Sequence, residues 1–296
     1  MSRKAVIVIG SNSTRCISAD PADPAVQTIR RRVETRLFLH MRDGLLAEED
    51  IVQAVAGIRG LMEEAAVPIL GIYATSAVRD AQNAAQLSHA IEDACGFPLT
   101  VLSGEEEAAA SFYGAAGDTQ AGVIDIGGGS TEIAIGRGLD IQGAVSLQLG
   151  ASRLFAAHPV NSLRDAESAL AAAEEACLLI PQMLVLHSGV ELFYSVGGTG
   201  TACACLMQGM NRKAANIEGY ILRRDDVYAQ LLRVAAVPRK LRARIPGFPS
   251  SRVDIMPTGL AIMTAVMDRL HIGSVTVTER TNGDGLLRAS VRQNNP

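Results

Sequence analysis

The sequence predicts an α/β protein of two related halves, and three observations carry that expectation. Short Val/Ile-rich runs alternate with longer segments of helical periodicity, the order expected of layered strands and helices. The string Val6-Ile7-Val8-Ile9-Gly10-Ser11-Asn12-Ser13-Thr14 recurs 117 residues later as Val123-Ile124-Asp125-Ile126-Gly127-Gly128-Gly129-Ser130-Thr131, with six of nine positions identical. A third small-residue run, Gly197-Gly198-Thr199-Gly200-Thr201, follows another apolar run in the second half. At 296 residues the chain exceeds the size at which one core usually keeps growing. Two domains are expected, residues 1–120 and 121–296, divided just ahead of the second copy of the repeat.

In each copy the Val/Ile run reads as a buried strand, the small residues as a tight turn, and Cys16-Ile17 or Ile133-Ala134-Ile135 as part of a second strand. The basic N-terminus precedes only five apolar residues, too few for the core of a signal peptide, so they are assigned to the first buried strand. Between the copies, Ile51, Val55, Ile58, Met62 and Ala65 are spaced as the apolar stripe of a helix over 46–66, ending at Val67-Pro68. A strand is predicted over 69–75, a helix over 77–94 closed by Gly96, and a strand over 99–102. Ser103-Gly104-Glu105-Glu106 has the form of a capping box and opens a helix running to about Gly117. The second half predicts a helix from Leu163 to about His187, a strand over 192–196 ending in the Gly197–Thr201 loop, helices over 224–235 and 256–270, and a strand over 274–277.

Hydrophobic residues make up 48%, charged residues 20% and aromatics 4%, the composition of an aliphatic globular core. No stretch approaches the roughly 18 apolar residues of a membrane span, so a soluble, cytoplasmic protein without a membrane partner is expected. Five scattered cysteines suit reduced thiols better than a disulfide framework. Cys203 and Cys205 lack a second pair at ligand spacing and read as core packing, and the five histidines form no ligand pair. Net charge is -4, yet residues 212–252 hold ten Lys/Arg against three Asp/Glu. That basic region is either a solvated face or a docking surface for a polyanion. Its few aromatics (Tyr220, Tyr228, Phe248) argue against a base-stacking surface, and no nucleic-acid partner is expected.

Glycine-rich turns after strands expose N–H groups, and neighbouring hydroxyls add donors, so such turns cradle phosphate. One turn of this kind could be a plain hairpin; three, two of them duplicates, point to phosphate binding. The phosphate-binding candidates are Gly10, Ser11, Asn12 and Ser13, then Gly127, Gly128, Gly129, Ser130 and Thr131, then Gly197, Gly198 and Thr199. Neither a P-loop nor a dinucleotide-binding fingerprint occurs. Asp125 sits within an apolar strand, where a carboxylate without a partner is costly, so it is expected to face a cation, water or metal-bound phosphate. Glu132 faces either the same cleft or solvent. Glu105, Glu106 and Glu107 occupy a capped first turn, where one of them could activate water.

These pieces, in this order, resemble the exopolyphosphatase/guanosine pentaphosphatase (Ppx/GppA) family over nearly the whole chain. Gly10-Ser11-Asn12-Ser13, Ala74-Thr75-Ser76-Ala77-Val78-Arg79-Asp80-Ala81-Gln82-Asn83, Ser103-Gly104-Glu105-Glu106-Glu107-Ala108 and Asp125 to Glu132 match its G-S-N-S, A-T-S-A-x-R-x-A-x-N, S-G-x-E-E-A and D-I-G-G-G-S-T-E segments. Ser146-Leu147-Gln148-Leu149-Gly150-Ala151 and Val196-Gly197-Gly198-Thr199 match two more. The resemblance implies two ribonuclease-H-like domains of the actin-like ATPase type around a cleft. It implies release of terminal phosphate from inorganic polyphosphate or from guanosine pentaphosphate, with Mg²⁺ or another divalent cation. By position, Glu107 would orient water, Asp125 and Glu132 would hold metal or water, and Arg79 would clamp phosphate. The chain looks like the short form, without the family's extra helical domain, and the apolar helices of its second half offer a surface for a homodimer.

Three departures stand out. Val8 occupies the first-loop position that is Asp in the family and Asp125 in the second copy; the segment between Thr14 and Arg30 is compressed; and Thr281-Asn282-Gly283-Asp284-Gly285-Leu286-Leu287 replaces the family's G-L-R-E-G-L-L. A catalytically weakened relative that binds polyphosphate or nucleotide is therefore the alternative reading, and a different actin-like phosphotransferase is a third.

Overall fold

The computed structural model describes residues 3–20, 28–186 and 189–292. A five-stranded sheet is built by β1 (Lys4–Ile9), β2 (Ser13–Ala19), β3 (Ile29–Glu34), β4 (Ile69–Ala74) and β5 (Leu99–Val101), ordered β3-β2-β1-β4-β5. The first three strands form an antiparallel meander, and β4 and β5 add in parallel on its other side. Ala5 to Ile9 are all buried, as a continuous Val/Ile run requires when both faces of a sheet are covered. On one face lie α1 (Leu37–His40), α2 (Glu48–Ala65), α3 (Ser76–Asp80) and α4 (Ala84–Cys95), with Ile58, Leu87 and Ile91 in the shared core. The next helix, α5 (Gly104–Ala115), starts with the capping box that Ser103 and Glu106 predict.

The second sheet repeats the plan. It comprises β6 (Gln120–Ile126), β7 (Thr131–Arg137), β8 (Asp140–Leu147), β9 (Phe193–Val196), β10 (Ile221–Arg223) and β11 (Ser274–Val277), ordered β10-β11-β9-β6-β7-β8. Again three antiparallel strands are followed by parallel additions, β9 and β11, on the other side. Its helices are α6 (Ala151–Ala157), α7 (Leu163–Cys177), α8 (Gln182–Leu186), α9 (Gly197–Gln208), α10 (Arg224–Ala235) and α11 (Met256–Arg269), with α12 (Asn282–Arg292) closing the chain. Every residue of α11 from Met256 to Met267 is buried, so this helix runs through the core of the second half. None of the described helices is long and apolar enough to cross a membrane.

Packing does not follow chain order. The apolar side of α5 (Ala108, Phe112, Ala115) lies on Val123 and Ala134 of the second sheet. From the far end of the chain, α12 returns to the first sheet, where Leu287 joins Val6 and Ile17. The two helices cross where a Cβ on Gly114 would stand 2.1 Å from the Thr281 carbonyl oxygen, and one on Gly285 would stand 1.9 Å from that of Ala110. No side chain larger than hydrogen fits at either point.

Three predicted elements differ in outline. The helix expected over 77–94 is two, because the Asn83 side chain pairs with Leu46, accepting from its N–H and donating to its carbonyl at 2.9 Å each, and so holds a turn open between α3 and α4. The helix expected from Leu163 stops at Cys177 and resumes as α8 after Pro181, whose ring cannot continue it; its expected end at His187 lies outside the described residues, as does much of the compressed segment after Thr14. The third small-residue run is the first turn of α9, entered through Gly197 at φ +86°. Seven elements were not anticipated: α1, β3, β8, α6, α9, β10 and α12.

Candidate active site

The two copies of the repeat adopt the same turn. Gly10 N–H donates to the Ser13 carbonyl at 3.0 Å, and Gly127 N–H to the Ser130 carbonyl at 2.9 Å. The loops face each other so closely that a Cβ on Gly128 would stand 2.8 Å from Cβ of Ser11. Together with the start of α9 they line a cleft of about 320 Å³ between the sheets.

One wall of this cleft is acidic, and strand register explains why. Asp125 on β6, Glu132 on β7 and Ser146 on β8 stand directly opposite one another across three antiparallel strands. Such cross-strand neighbours share a face of the sheet. Over that row lies α5, whose Gly104, Glu107 and Ser111 recur at helical spacing: Gly104 lets the helix sit on Ser146, and Ser111 Oγ donates to Asp125 Oδ2 at 2.7 Å. Ser146 Oγ donates to Glu132 Oε1 at 2.7 Å. Sheet and helix thus converge three buried carboxylates on one place.

Desolvation dominates their titration. Burial raises the Glu107 pKa to about 7, against the attraction of Arg79 and with further upward pressure from Asp125. Burial, then the charges of Glu107 and Asp125, hold Glu132 well above the usual carboxylate range. Asp125 is also raised by burial, while the Ser111 hydroxyl and the Arg15 guanidinium work against that rise. Arg79 donates from Nη1 to Glu107 Oε2 at 3.1 Å and to the Leu102 carbonyl at 2.7 Å.

The other wall is basic. The corresponding row in the first sheet is Val8 on β1, Arg15 on β2 and Arg32 on β3, again directly opposite one another. Carried one residue further, the 117-residue offset that pairs Val8 with Asp125 pairs Arg15 with Glu132. All three residues of this row line the cleft, as do Arg30, Arg212 and Arg252. Arg30 is paired with Asp284 and Arg212 with Glu279. Arg252 packs on Gly198, where a Cβ would stand 1.9 Å from its Nη2.

Of the residues singled out from sequence, Gly10, Ser11, Asn12, Ser13, Gly127, Gly128, Ser130, Gly197, Gly198, Glu107 and Asp125 line the cleft. Glu132, 2% exposed, lies behind the cleft surface beside Glu107, and Arg79 reaches Glu107 without lining the cleft. Gly129 faces Ser76 and Ser11, Thr131 donates to the Leu149 carbonyl, and fully buried Thr199 packs on Gly259. Sequence reasoning missed Arg15, Arg30, Arg32 and the individual roles within the 212–252 region. Extending the repeat comparison by one position would have found Arg15. Within 212–252 only the two ends reach the cleft. Arg224 pairs with Asp268, Arg239 with Asp254, and Arg242 is buried among backbone carbonyls.

Two sheets of the same plan, each with a strand–turn–strand loop facing a shared cleft, define a duplicated α/β protein of the actin-like type. Solved structures share that fold over the whole chain. An exopolyphosphatase-like protein superposes with TM-score 0.89 at 25% identity, covering 100% of this chain and 99% of that one. A Ppx/GppA family member from Aquifex aeolicus gives 0.80 at 22% identity with the same coverage. The chain belongs to the Ppx/GppA phosphatase family, whose sequence profile it matches over residues 26–293. Among curated relatives, the guanosine-5'-triphosphate,3'-diphosphate pyrophosphatase of Vibrio cholerae is 29% identical over 97% of this chain, and that of Vibrio vulnificus 28% over 95%. The chain spans 59% of the length of the first of these and 58% of the second.

Proposed function

We propose that the protein is a phosphoanhydride hydrolase that releases the terminal phosphate of inorganic polyphosphate or of guanosine pentaphosphate. The observation that carries this reading is Glu107, a buried carboxylate that lines the same cleft as the duplicated loops and has its pKa raised to about 7. A general base is most effective when its pKa lies near the working pH. In the reaction, loop N–H and hydroxyl groups hold the chain end, and Glu107 takes a proton from water as the water oxygen attacks the terminal phosphorus. The bridging P–O bond breaks, and its electron pair leaves on the shortened chain beside the arginine wall. Arg79 positions Glu107 and limits the rise of its pKa.

Asp125 and Glu132 fit a divalent cation such as Mg²⁺, since both carboxylates are desolvated and Glu132 is repelled by Glu107 and Asp125. Among the described residues no three His, Cys, Asp or Glu side chains form a metal site by themselves. The ion would take its remaining ligands from phosphate and water, as Mg²⁺ commonly does, and when bound it would neutralise charge on the phosphates. The homodimer expected of the second half would use the exposed Leu178, Leu179, Met183 and Leu186, which sedimentation can check.

Phosphate release from short and long polyphosphate and from guanosine pentaphosphate, measured for the protein and for Glu107→Gln, tests the reading. Release lost in the variant supports it and ranks the substrates. Binding of the same compounds without release, in a folded protein, would favour instead the regulatory relative that Val8 suggests.

A further inference from the structure

Each of the two duplicated loops has its carbonyls held by a segment from elsewhere in its own half. In the first, the Ser11 carbonyl accepts from Phe38 N–H at 3.0 Å, and the Asn12 carbonyl from Thr35 and Arg36 N–H at 3.2 and 3.0 Å. In the second, the start of α6 has this role. Ala151 N–H donates to the Gly127 carbonyl at 2.9 Å, and Ser152 and Arg153 N–H donate to that of Gly128 at 2.8 and 3.0 Å. The next carbonyl, that of Gly129, is held by a side chain: Arg153 Nε donates to it at 2.7 Å. In a trans peptide the C=O of one residue and the N–H of the next point in opposite directions. Holding three successive carbonyls on α6 therefore turns the N–H groups of Gly128, Gly129 and Ser130 away from it, and among the described residues none of the three has a partner. Gly128 and Ser130 line the cleft, whereas Arg153 does not. Successive free N–H groups of this kind receive phosphate oxygens.

The rest of the Arg153 guanidinium faces the first half. Nη2 pairs with Asp80 at the end of α3, and the group lies 4.7 Å over the ring of Phe38, the residue whose N–H holds Ser11. Asp80 directly follows Arg79, which donates to Glu107 at 3.1 Å. One side chain thus joins the second loop, the segment that holds the first loop, and the helix that carries the partner of the base. The family segment matched from Ser146 ends at Ala151, two residues short of it. We propose that Arg153 is a positioning residue of the phosphate site: it aims the N–H groups of the second loop at the terminal phosphate and fixes both loops and α3 as one unit. The inference rests on the hydrolase reading and adds to it a residue that acts through backbone it does not share. Lysine is no substitute, because an ammonium lacks the planar fork that serves a carbonyl and a carboxylate at once. Donors fixed in advance act most on charge that builds in the transition state, so their loss falls on kcat rather than on KM.

The test pairs kinetics with NMR on the full-length chain. Arg153→Met and Arg153→Lys should each lower kcat for phosphate release about tenfold or more while KM changes by less than about threefold. Arg153→Lys keeps the charge beside Asp80 and carries the test if the Met variant fails to fold. For the second readout, sodium tripolyphosphate is titrated into ¹⁵N-glycine-labelled Glu107→Gln protein, which suppresses turnover. The Gly128 and Gly129 amide signals should move downfield, and adding either Arg153 substitution should remove most of that movement, an effect that a loss of stability alone would not produce in the folded fraction. Variants that turn over like the parent, a loss confined to KM, recovery of kcat by lysine, or glycine signals that respond equally with and without Arg153 would each overturn the proposal and leave the hydrolase reading standing. A parent that releases no phosphate, yet whose Gly128 and Gly129 signals respond to tripolyphosphate only when Arg153 is present, would sink the hydrolase reading and support the positioning role.

Discussion

Replacing Arg79 with Met separates two roles for that residue: orienting a base or clamping a phosphate. Its Nη1 lies 3.1 Å from Glu107 Oε2, inside a buried environment. Two unit charges at about 4 Å interact by roughly 4 kcal/mol at an effective dielectric constant of about 20. Divided by 1.36 kcal/mol per pKa unit, that is an upper bound of about three units, which water entry and relaxation reduce to about one or two. Arg79 lowers the Glu107 pKa, so its loss moves that pKa up from about 7, to roughly 8.5 on this reckoning. A base must be ionised to act. The variant should therefore lose about tenfold in kcat at pH 7 and regain most of it by about pH 9.5, as the pH–rate profile shifts in the alkaline direction. Phosphate release measured from pH 5.5 to 10 would show this. A loss of equal size at every pH would refute the reasoning and put Arg79 on the substrate.

The raised Glu107 pKa also predicts a stability effect. Its folded value of about 7 exceeds the reference 4.5, so stability present below about pH 4.5 is lost as pH rises through 7, by up to about 3 kcal/mol. Glu107→Gln should therefore melt a few degrees higher than the parent at pH 8, and the gap should close near pH 4.5, which thermal scans would read. Gly150→Ala should cost about 1–3 kcal/mol and weaken phosphate binding, because the new Cβ would stand 2.4 Å from backbone atoms of Gly128 and Gly129. Arg242 is fully buried and donates to the carbonyls of Val160, Val234, Val237 and Val253. Arg242→Met should lower stability by about 3 kcal/mol or more in urea unfolding.

What sequence made visible was whatever local pattern encodes. The strand runs, the α2 stripe, the Ser103 capping box and the two loops could be read because periodicity, caps and turns each depend on a few neighbours. Even the duplicated topology followed from nine aligned positions, six of them identical. Breaks set by distant partners were not legible: the turn after α3 is held by Asn83 reaching Leu46, a contact across 37 positions. β3 was missed because Ile29-Arg30-Arg31-Arg32-Val33-Glu34 carries charge where a strand was expected to be apolar, and its arginines make sense only beside a cleft. For the site, Glu107 and Asp125 could be placed by motif. Their convergence depends on Gly104 and Ser111 seating α5 on the strand row, which no single segment shows.

Duplication explains why one substitution can redistribute chemistry across the cleft. In a fold with equivalent halves, a carboxylate at position 8 would face the one at 125, and a phosphate chain between them would meet two anionic walls that only cations could reconcile. With Val8 beside Arg15, the first wall is basic instead. On the second wall, burial raises Glu107 into the range where it accepts a proton at neutral pH. Arg15 works against the rise that burial imposes on the Asp125 pKa, so the basic wall favours the ionised form of that carboxylate. Val8→Asp, by occupying Arg15, should therefore push the Asp125 pKa higher still, a shift that NMR titration of the folded variant would read and whose absence would refute the link.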